Sequence, residues 1–255
     1  MPDLRGKVAI VTGCASGIGA ATVRRLRADG AEVLGTDINE RDGSALCLQA
    51  GAHFAIQDVS HTASWPDIIA RATEAWERLD ILVNNAGVVS QASIEDVDDA
   101  LWDRTYNINI KGTMAGCRAA IAAMKVNPGG ASGSIINIAS TSAMAALPSD
   151  VAYCSSKAAV RVLTQSIAAH CAKAGYAIRA NTVIPGATET GILDTAEREM
   201  PGLKAAVAAT SPLNRLADPA ETAAAIAFLA SDECPYMTGS EMLVDGAMMA
   251  VHPGF

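Results

Sequence analysis

Aromatic side chains are scarce in this chain: three Trp, four Tyr and three Phe among 255 residues. Half of the residues are nevertheless hydrophobic, so a core of this size must be built from Ala, Val, Ile, Leu and Met. Basic charge is in deficit as well. Nineteen Lys and Arg stand against 27 Asp and Glu, a formal net charge of −8, with no basic block or stripe. Nucleic acid and anionic membrane surfaces are therefore not expected partners. No apolar run approaches the ~18 residues that a membrane span needs. The first residues, 1–7, lack the apolar stretch of a signal peptide. Six cysteines (Cys14, Cys47, Cys117, Cys154, Cys171, Cys234) show no Cys-x-x-Cys spacing, and the four histidines no metal-ligand spacing. Reduced buried thiols, a cytoplasmic location and no metal site are the expectation. No Gly-x-Ser-x-Gly elbow occurs.

What is present is an alternation. Lys7 to Thr12 is a short apolar run that reads as a buried strand, followed by Thr12-Gly13-Cys14-Ala15-Ser16-Gly17-Ile18-Gly19 and a helical pattern ending at Asp29-Gly30. Glycines suit a turn whose amides approach a phosphate at a helix N-terminus. Further strands are expected at Glu32 to Asp37, His53 to Val59 and Leu79 to Val83, the last running into Asn84-Asn85-Ala86-Gly87. Helices follow at about 63–77, 98–109 and 112–125. Residues 127–133 read as a surface turn, Ser134 to Ile138 as a fifth strand, and Tyr176 to Val183 as a sixth, turned by Pro185-Gly186. Residues 189–211 read as an inserted helical excursion. A helix opens at Asp218-Pro219, and Glu241 to Val244 is a last strand. The repeated alternation specifies an α/β fold: a Rossmann-like, doubly wound parallel sheet of about seven strands with helices on both faces, in a single domain. Ligands then belong at the C-terminal strand ends. Asp37 ends the second strand about 20 residues past the glycine turn, where an acid can bind an adenosine ribose and repel a 2′-phosphate. That favours NAD over NADP, although Arg41 stands close by.

Tyr153 and Lys157 lie four residues apart in the helical segment Val151 to Ala174, on one face. A free tyrosine, with a pKa near ~10, is a poor base at neutral pH. A fixed cation beside it favours the phenolate, which can then take a proton from an alcohol or return one to a ketone.

Taken in order, Thr12-Gly-x-x-x-Gly17-x-Gly19, Asn84-Asn-Ala-Gly87, Asn109, Ser140, Tyr153-x-x-x-Lys157 and Pro185-Gly186 resemble the short-chain dehydrogenase/reductase family over essentially the whole chain. The resemblance implies roles. Tyr153 would be the acid/base, Lys157 its activator, Ser140 the hydrogen-bond donor to the substrate oxygen, and Asn109 a helix-bending residue that extends a proton relay. Gly13, Ser16, Gly17, Ile18 and Gly19 would cradle the pyrophosphate. Asp37 and Ile38 would meet the adenosine ribose, and Asp58 and Val59 the adenine. Asn85, Ala86 and Gly87 would meet the middle of the cofactor, and Pro185, Gly186, Thr188 and Thr190 the nicotinamide. Tyr153 and Lys157 would also touch the cofactor. Departures are Ala143 and Ala247, where many relatives carry glycine.

The resemblance also implies that Val88, Val89, Ser142, Met144, Leu147, Ile192, Leu193 and Met200 line the substrate pocket, with Arg198 the only nearby fixed cation. A neutral, fairly apolar secondary alcohol or ketone, cyclic or steroid-like, would suit such walls; the same residues would equally serve to pack a lid. Three functions follow: an NAD-dependent alcohol dehydrogenase, a 3-oxoacyl-thioester reductase, or a cofactor-binding sensor without turnover. Asp37 speaks against the second, and the full set Asn109, Ser140, Tyr153 and Lys157 against the third. The family is usually tetrameric through helices near 112–125 and 151–174.

Overall fold

The computed structural model describes residues 2–251 apart from 192, 194–196 and 199. Seven parallel strands form one sheet in the order β3-β2-β1-β4-β5-β6-β7. They are β1 (Val8–Thr12), β2 (Glu32–Asp37), β3 (His53–Ile56), β4 (Ile81–Asn84), β5 (Ser132–Ile138), β6 (Ala177–Pro185) and β7 (Glu241–Val244). The helices are α1 (Gly17–Ala28), α2 (Glu40–Ala50), α3 (Trp65–Trp76), α4 (Asp99–Tyr106), α5 (Thr113–Met124), α6 (Val151–Lys173), α7 (Leu203–Ala208) and α8 (Pro219–Ala230).

Both faces of the sheet are buried, and strand alternation feeds two cores. Ala9 and Val11 of β1 join Val23 and Leu26 of α1 and Ile226 and Leu229 of α8. Val8 and Ile10, pointing the other way, join Trp65 and Ile68 of α3, Ala120 of α5 and Cys171 of α6. This is why the strands read as continuous apolar runs. The sheet grows away from β1 in both directions, to β2 and to β4. The resulting crevice lies at the carboxyl ends of β1 and β4, where such sheets bind ligands.

Several boundaries differ from expectation. β3 stops at Ile56, which leaves Gln57, Asp58 and Val59 outside the strand. The two helices expected at 98–109 and 112–125 are one run, α4 passing into α5 through a π-helical turn at Asn107–Gly112. β5 begins inside the expected turn, at Ser132, and β6 continues through Pro185, opposite Val244. α2, unassigned from the sequence, is capped by Asn39, whose side chain accepts from the Asp42 amide. Within the expected excursion, α7 is helical; Ile192 and Ala196 lie outside the described residues. Among the described residues no helix is long and apolar enough to cross a membrane.

Candidate active site

A cavity of about 530 Å³ runs from the turn after β1 to the start of α6. Its floor is two loops laced together. Thr12 Oγ1 accepts from the amides of Asn85 and Ala86, both at 3.0 Å. The Asn85 side chain donates back to the carbonyls of Thr12 and Gly13 at 3.0 and 3.1 Å. The approach admits no side chain. A Cβ on Gly13 would lie 2.9 Å from the Ala86 Cα, and one on Gly19 2.0 Å from the Gly13 oxygen. Gly13, Ser16, Gly17 and Ile18 line the cavity; Gly19 does not, and instead lets α1 pack against the turn.

Asp37, Ile38, Asp58 and Val59 line the end beyond β2 and β3. Asp37 Oδ2 accepts from the Ala15 amide at 2.9 Å, so this acid also holds the glycine turn in shape. Burial pushes the Asp58 carboxyl up, but hydrogen bonds from the Ser60 hydroxyl and amide outweigh it and hold the group below the usual carboxylate range. Gln57 and Arg104 stand here too, and neither was expected. Arg104 of α4 is four residues before Ile108 of the π-helical turn, also on the cavity wall, so the i, i+4 spacing along this helical run carries the signal. Arg104 is a fixed cation at this end of the cavity; Arg198, expected near the substrate walls, is exposed and outside the cavity lining.

Asn85, Ala86 and Gly87 line the cavity beside the glycine turn, and at the other end stand Val88, Val89, Ser140, Tyr153, Lys157, Pro185, Gly186, Thr188 and Thr190. Lys157 is buried, and its Nζ donates to the Ile138 carbonyl at 2.8 Å, 5.8 Å from the centre of the Tyr153 ring. Burial lowers the lysine pKa to about 8. Burial also raises that of Tyr153, against the pull of a hydrogen bond with Ser140, while the Asp150 carboxylate pushes it further up. Burial is thus the largest influence on the phenol. Asn109 does not touch the cavity. It sits in the π-helical turn, its Oδ1 accepting from Val88 N and its Nδ2 donating to Val88 O and Ser156 Oγ, each at 2.9 Å. A Cβ on Gly87 would lie 3.2 Å from both Asn109 Oδ1 and Lys157 Nζ, so the two groups flank one glycine.

The expected substrate walls are less well placed. Val88 and Val89 line the cavity, whereas Ser142, Met144, Leu147, Leu193 and Met200 do not, and Ile192 lies outside the described residues. Met144, Leu147 and Met200 are 43, 48 and 62% exposed. They lie after Ser140 and in the excursion after β6, where spacing alone does not reveal which side chains face the cavity. Ile108, Ile138, Ala139 and Gly191 line the cavity instead. All six cysteines are free and buried, and no cluster among the described residues could hold a metal.

Comparison with known proteins matches residues 13–248 to the family model described as Enoyl-(Acyl carrier protein) reductase. The chain is 36% identical to a 3-alpha-(or 20-beta)-hydroxysteroid dehydrogenase of Mycobacterium tuberculosis, over 97% of this chain and 91% of that protein. It is 37% identical to a trans-4-hydroxycyclohexanecarboxylate dehydrogenase of Sinomonas cyclohexanicum, covering 96% and 93%. It is 35% identical to an NADP-dependent (R)-specific alcohol dehydrogenase of Lentilactobacillus kefiri, covering 97% and 98%. With a seven-stranded parallel sheet and this similarity over nearly its full length, the chain belongs to the short-chain dehydrogenase/reductase family of oxidoreductases.

Proposed function

We propose that the protein is an NAD-dependent dehydrogenase of neutral, fairly apolar secondary alcohols, cyclic or steroid-like, working also as the ketone reductase. The observation that carries this reading is that one cavity begins at Gly13 and Gly17 and ends at Ser140, Tyr153 and Lys157. The residues suit a nicotinamide dinucleotide: glycines stand where a Cβ would collide, α1 presents its N-terminus, and Asp37 lies at the end of β2. When bound, the nicotinamide supplies the hydride acceptor or donor.

The protein's own groups handle position and proton. Ser140 hydrogen-bonds the substrate oxygen. Tyr153 takes the alcohol proton at its phenolic oxygen, or delivers one to the ketone. Lys157, held by Ile138, brings positive charge beside that oxygen. Because burial weakens its hold on a proton, Lys157 is poised to pass one on near neutral pH. Asn109 fixes the backbone of Val88 and so that part of the cavity wall. Val88, Val89, Ile108 and Ile138 offer an apolar lining. NAD is favoured over NADP because the Asp37 carboxylate would repel a 2′-phosphate, even though one relative is named NADP-dependent. The same reading includes a cytoplasmic homotetramer paired through α5 and α6; Val162 of α6, 65% exposed, is consistent with that.

The test is a panel of aliphatic, cyclic and steroidal alcohols with NAD and with NADP, beside Tyr153→Phe. We expect turnover with NAD that falls ~10³-fold or more in the variant while cofactor binding persists. NADP preference would overturn the role of Asp37 and reopen the 3-oxoacyl-thioester reductase. Turnover that survives in the variant would remove Tyr153 from the chemistry.

A further inference from the structure

Ser140 stands two residues past the end of β5 and caps a short 3₁₀ turn, Thr141–Ala143. Its hydroxyl oxygen accepts from the Ser142 amide at 3.1 Å, so the orientation of the hydroxyl depends on where that turn sits. The turn bonds mainly to itself, through Ala143 N to Ser140 O and Met144 N to Thr141 O. Among the described residues, one side chain outside the turn hydrogen-bonds its backbone. Arg161 Nη1 donates to the Ala143 carbonyl at 3.0 Å.

That guanidinium is itself held. Nε and Nη2 of Arg161 donate to the two oxygens of Glu241 at 3.0 and 2.8 Å, a forked pair, and Gln165 Nε2 adds a bond to Glu241 Oε1 at 3.2 Å. Both partners are well shielded, with side-chain exposures of 25 and 19%. Glu241 is the first residue of β7, registered against Thr182 of β6. Arg161 lies four residues after Lys157 and eight after Tyr153 on α6. One planar group therefore ties the edge strand, the helix bearing Tyr153 and Lys157, and the turn that orients Ser140. Only a guanidinium has enough fixed donors to grip a carboxylate with one edge and a carbonyl with another.

We propose that Arg161, locked by Glu241, is a positioning residue that sets the Ser140 hydroxyl against Tyr153. It touches neither substrate nor cofactor: it does not line the cavity. Its effect runs through the Ala143 carbonyl and the Ser142 amide to the serine oxygen. The proposal rests on the dehydrogenase reading above.

A double-mutant cycle tests it. Arg161→Met, Ser140→Ala and the double variant are compared on the best alcohol of the panel, with cofactor affinity followed by NADH or NADPH fluorescence. Ser140→Ala should lower kcat ~100-fold. Arg161→Met should lower kcat about tenfold in the native background and less than about twofold in the Ser140→Ala background, because both changes damage one interaction. Cofactor affinity should change by less than about twofold, since the cavity lining is untouched. Arg161→Lys, which can reach one partner but not both, should recover part of the loss, and Glu241→Gln should resemble it. These two variants carry the test if Arg161→Met does not fold. Additive losses, or a lowered Tm with unchanged kcat, would overturn the positioning role while leaving the dehydrogenase reading intact. A wild-type enzyme inactive on the whole panel in both directions would overturn both.

Discussion

The two ends of the cavity are built differently. The end toward β1 and β2 is backbone packed on backbone: Gly13 against Ala86, and Asn85 and Thr12 bonding across the gap. The end toward β5 and β6 is side chains on turns, with Ser140, Thr188 and Thr190 at the core and Met144, Leu147 and Met200 exposed around it. The first end tolerates almost no variation, because a carbon atom has nowhere to go. The second can change its walls without disturbing the sheet. A common cofactor with variable substrates needs that division, and it fits relatives named for steroid and cyclohexane-carboxylate dehydrogenases.

Lys157 belongs to the second end, and replacing it should separate function from stability most sharply. Lys157→Met is expected to lower kcat on the order of 10³-fold. It should also make the protein more stable. The folded pKa, about 8, lies below the ordinary lysine value of 10.5. The buried charge therefore destabilises the fold fully below pH 8, by about 3 kcal/mol, and this penalty fades as pH rises toward 10.5, where the unfolded chain holds more protons than the folded one. The lost charged hydrogen bond to Ile138 offsets about 2 kcal/mol. Urea unfolding should show a net gain of about 1 kcal/mol at pH 7 that shrinks by pH 10. Loss of stability at pH 7 would show that the lysine is a structural member. Gly19→Ala probes the rigid end alone. Its new Cβ would fall 2.0 Å from the Gly13 oxygen, so the turn must move. We expect kcat/KM for the cofactor to fall on the order of 100-fold and stability by about 1–3 kcal/mol. An unchanged cofactor KM would show that the turn is less constrained than its contacts imply.

How much of this was legible in the sequence follows the same division. The glycine turn, Asp37, Asn85 to Gly87, Tyr153 and Lys157 were readable because each depends on spacing within one element or on a strand's end. The sheet was readable because Val8 to Val11 and Ile81 to Val83 are buried on both faces and so stay apolar without interruption. The π-helical turn at Asn107–Gly112 was not, since its extra residue leaves no mark in composition. The end of β3 at Ile56 was missed because Gln57 to Val59 keep a strand-like pattern although they turn toward the cavity. Arg104 was passed over because a charged residue on a helix usually marks a solvated face. The substrate walls were less legible, for a different reason. Whether Met144 or Met200 points inward is decided by loop paths, which are set by contacts distant in the chain, such as Arg161 to Ala143.

That leaves the exposed methionines, and they give the weakest but most discriminating test. Neither Met144 nor Met200 lines the cavity, so a small alcohol such as cyclohexanol should not notice them. Met144→Ala and Met200→Ala should each leave its KM and kcat within about twofold. A substrate of several fused rings that reaches beyond the cavity lining would meet these side chains. Losing ~60 Å² of apolar contact at about 25 cal/mol per Å² amounts to ~1.5 kcal/mol, so KM for a hydroxysteroid should rise about tenfold with kcat little changed. The split between the two substrates carries the argument. A rise for both would mean the methionines shape the site itself. No rise for either would leave them as packing for the surrounding loops, and the apolar character of the substrate would then rest on Val88, Val89, Ile108 and Ile138 alone.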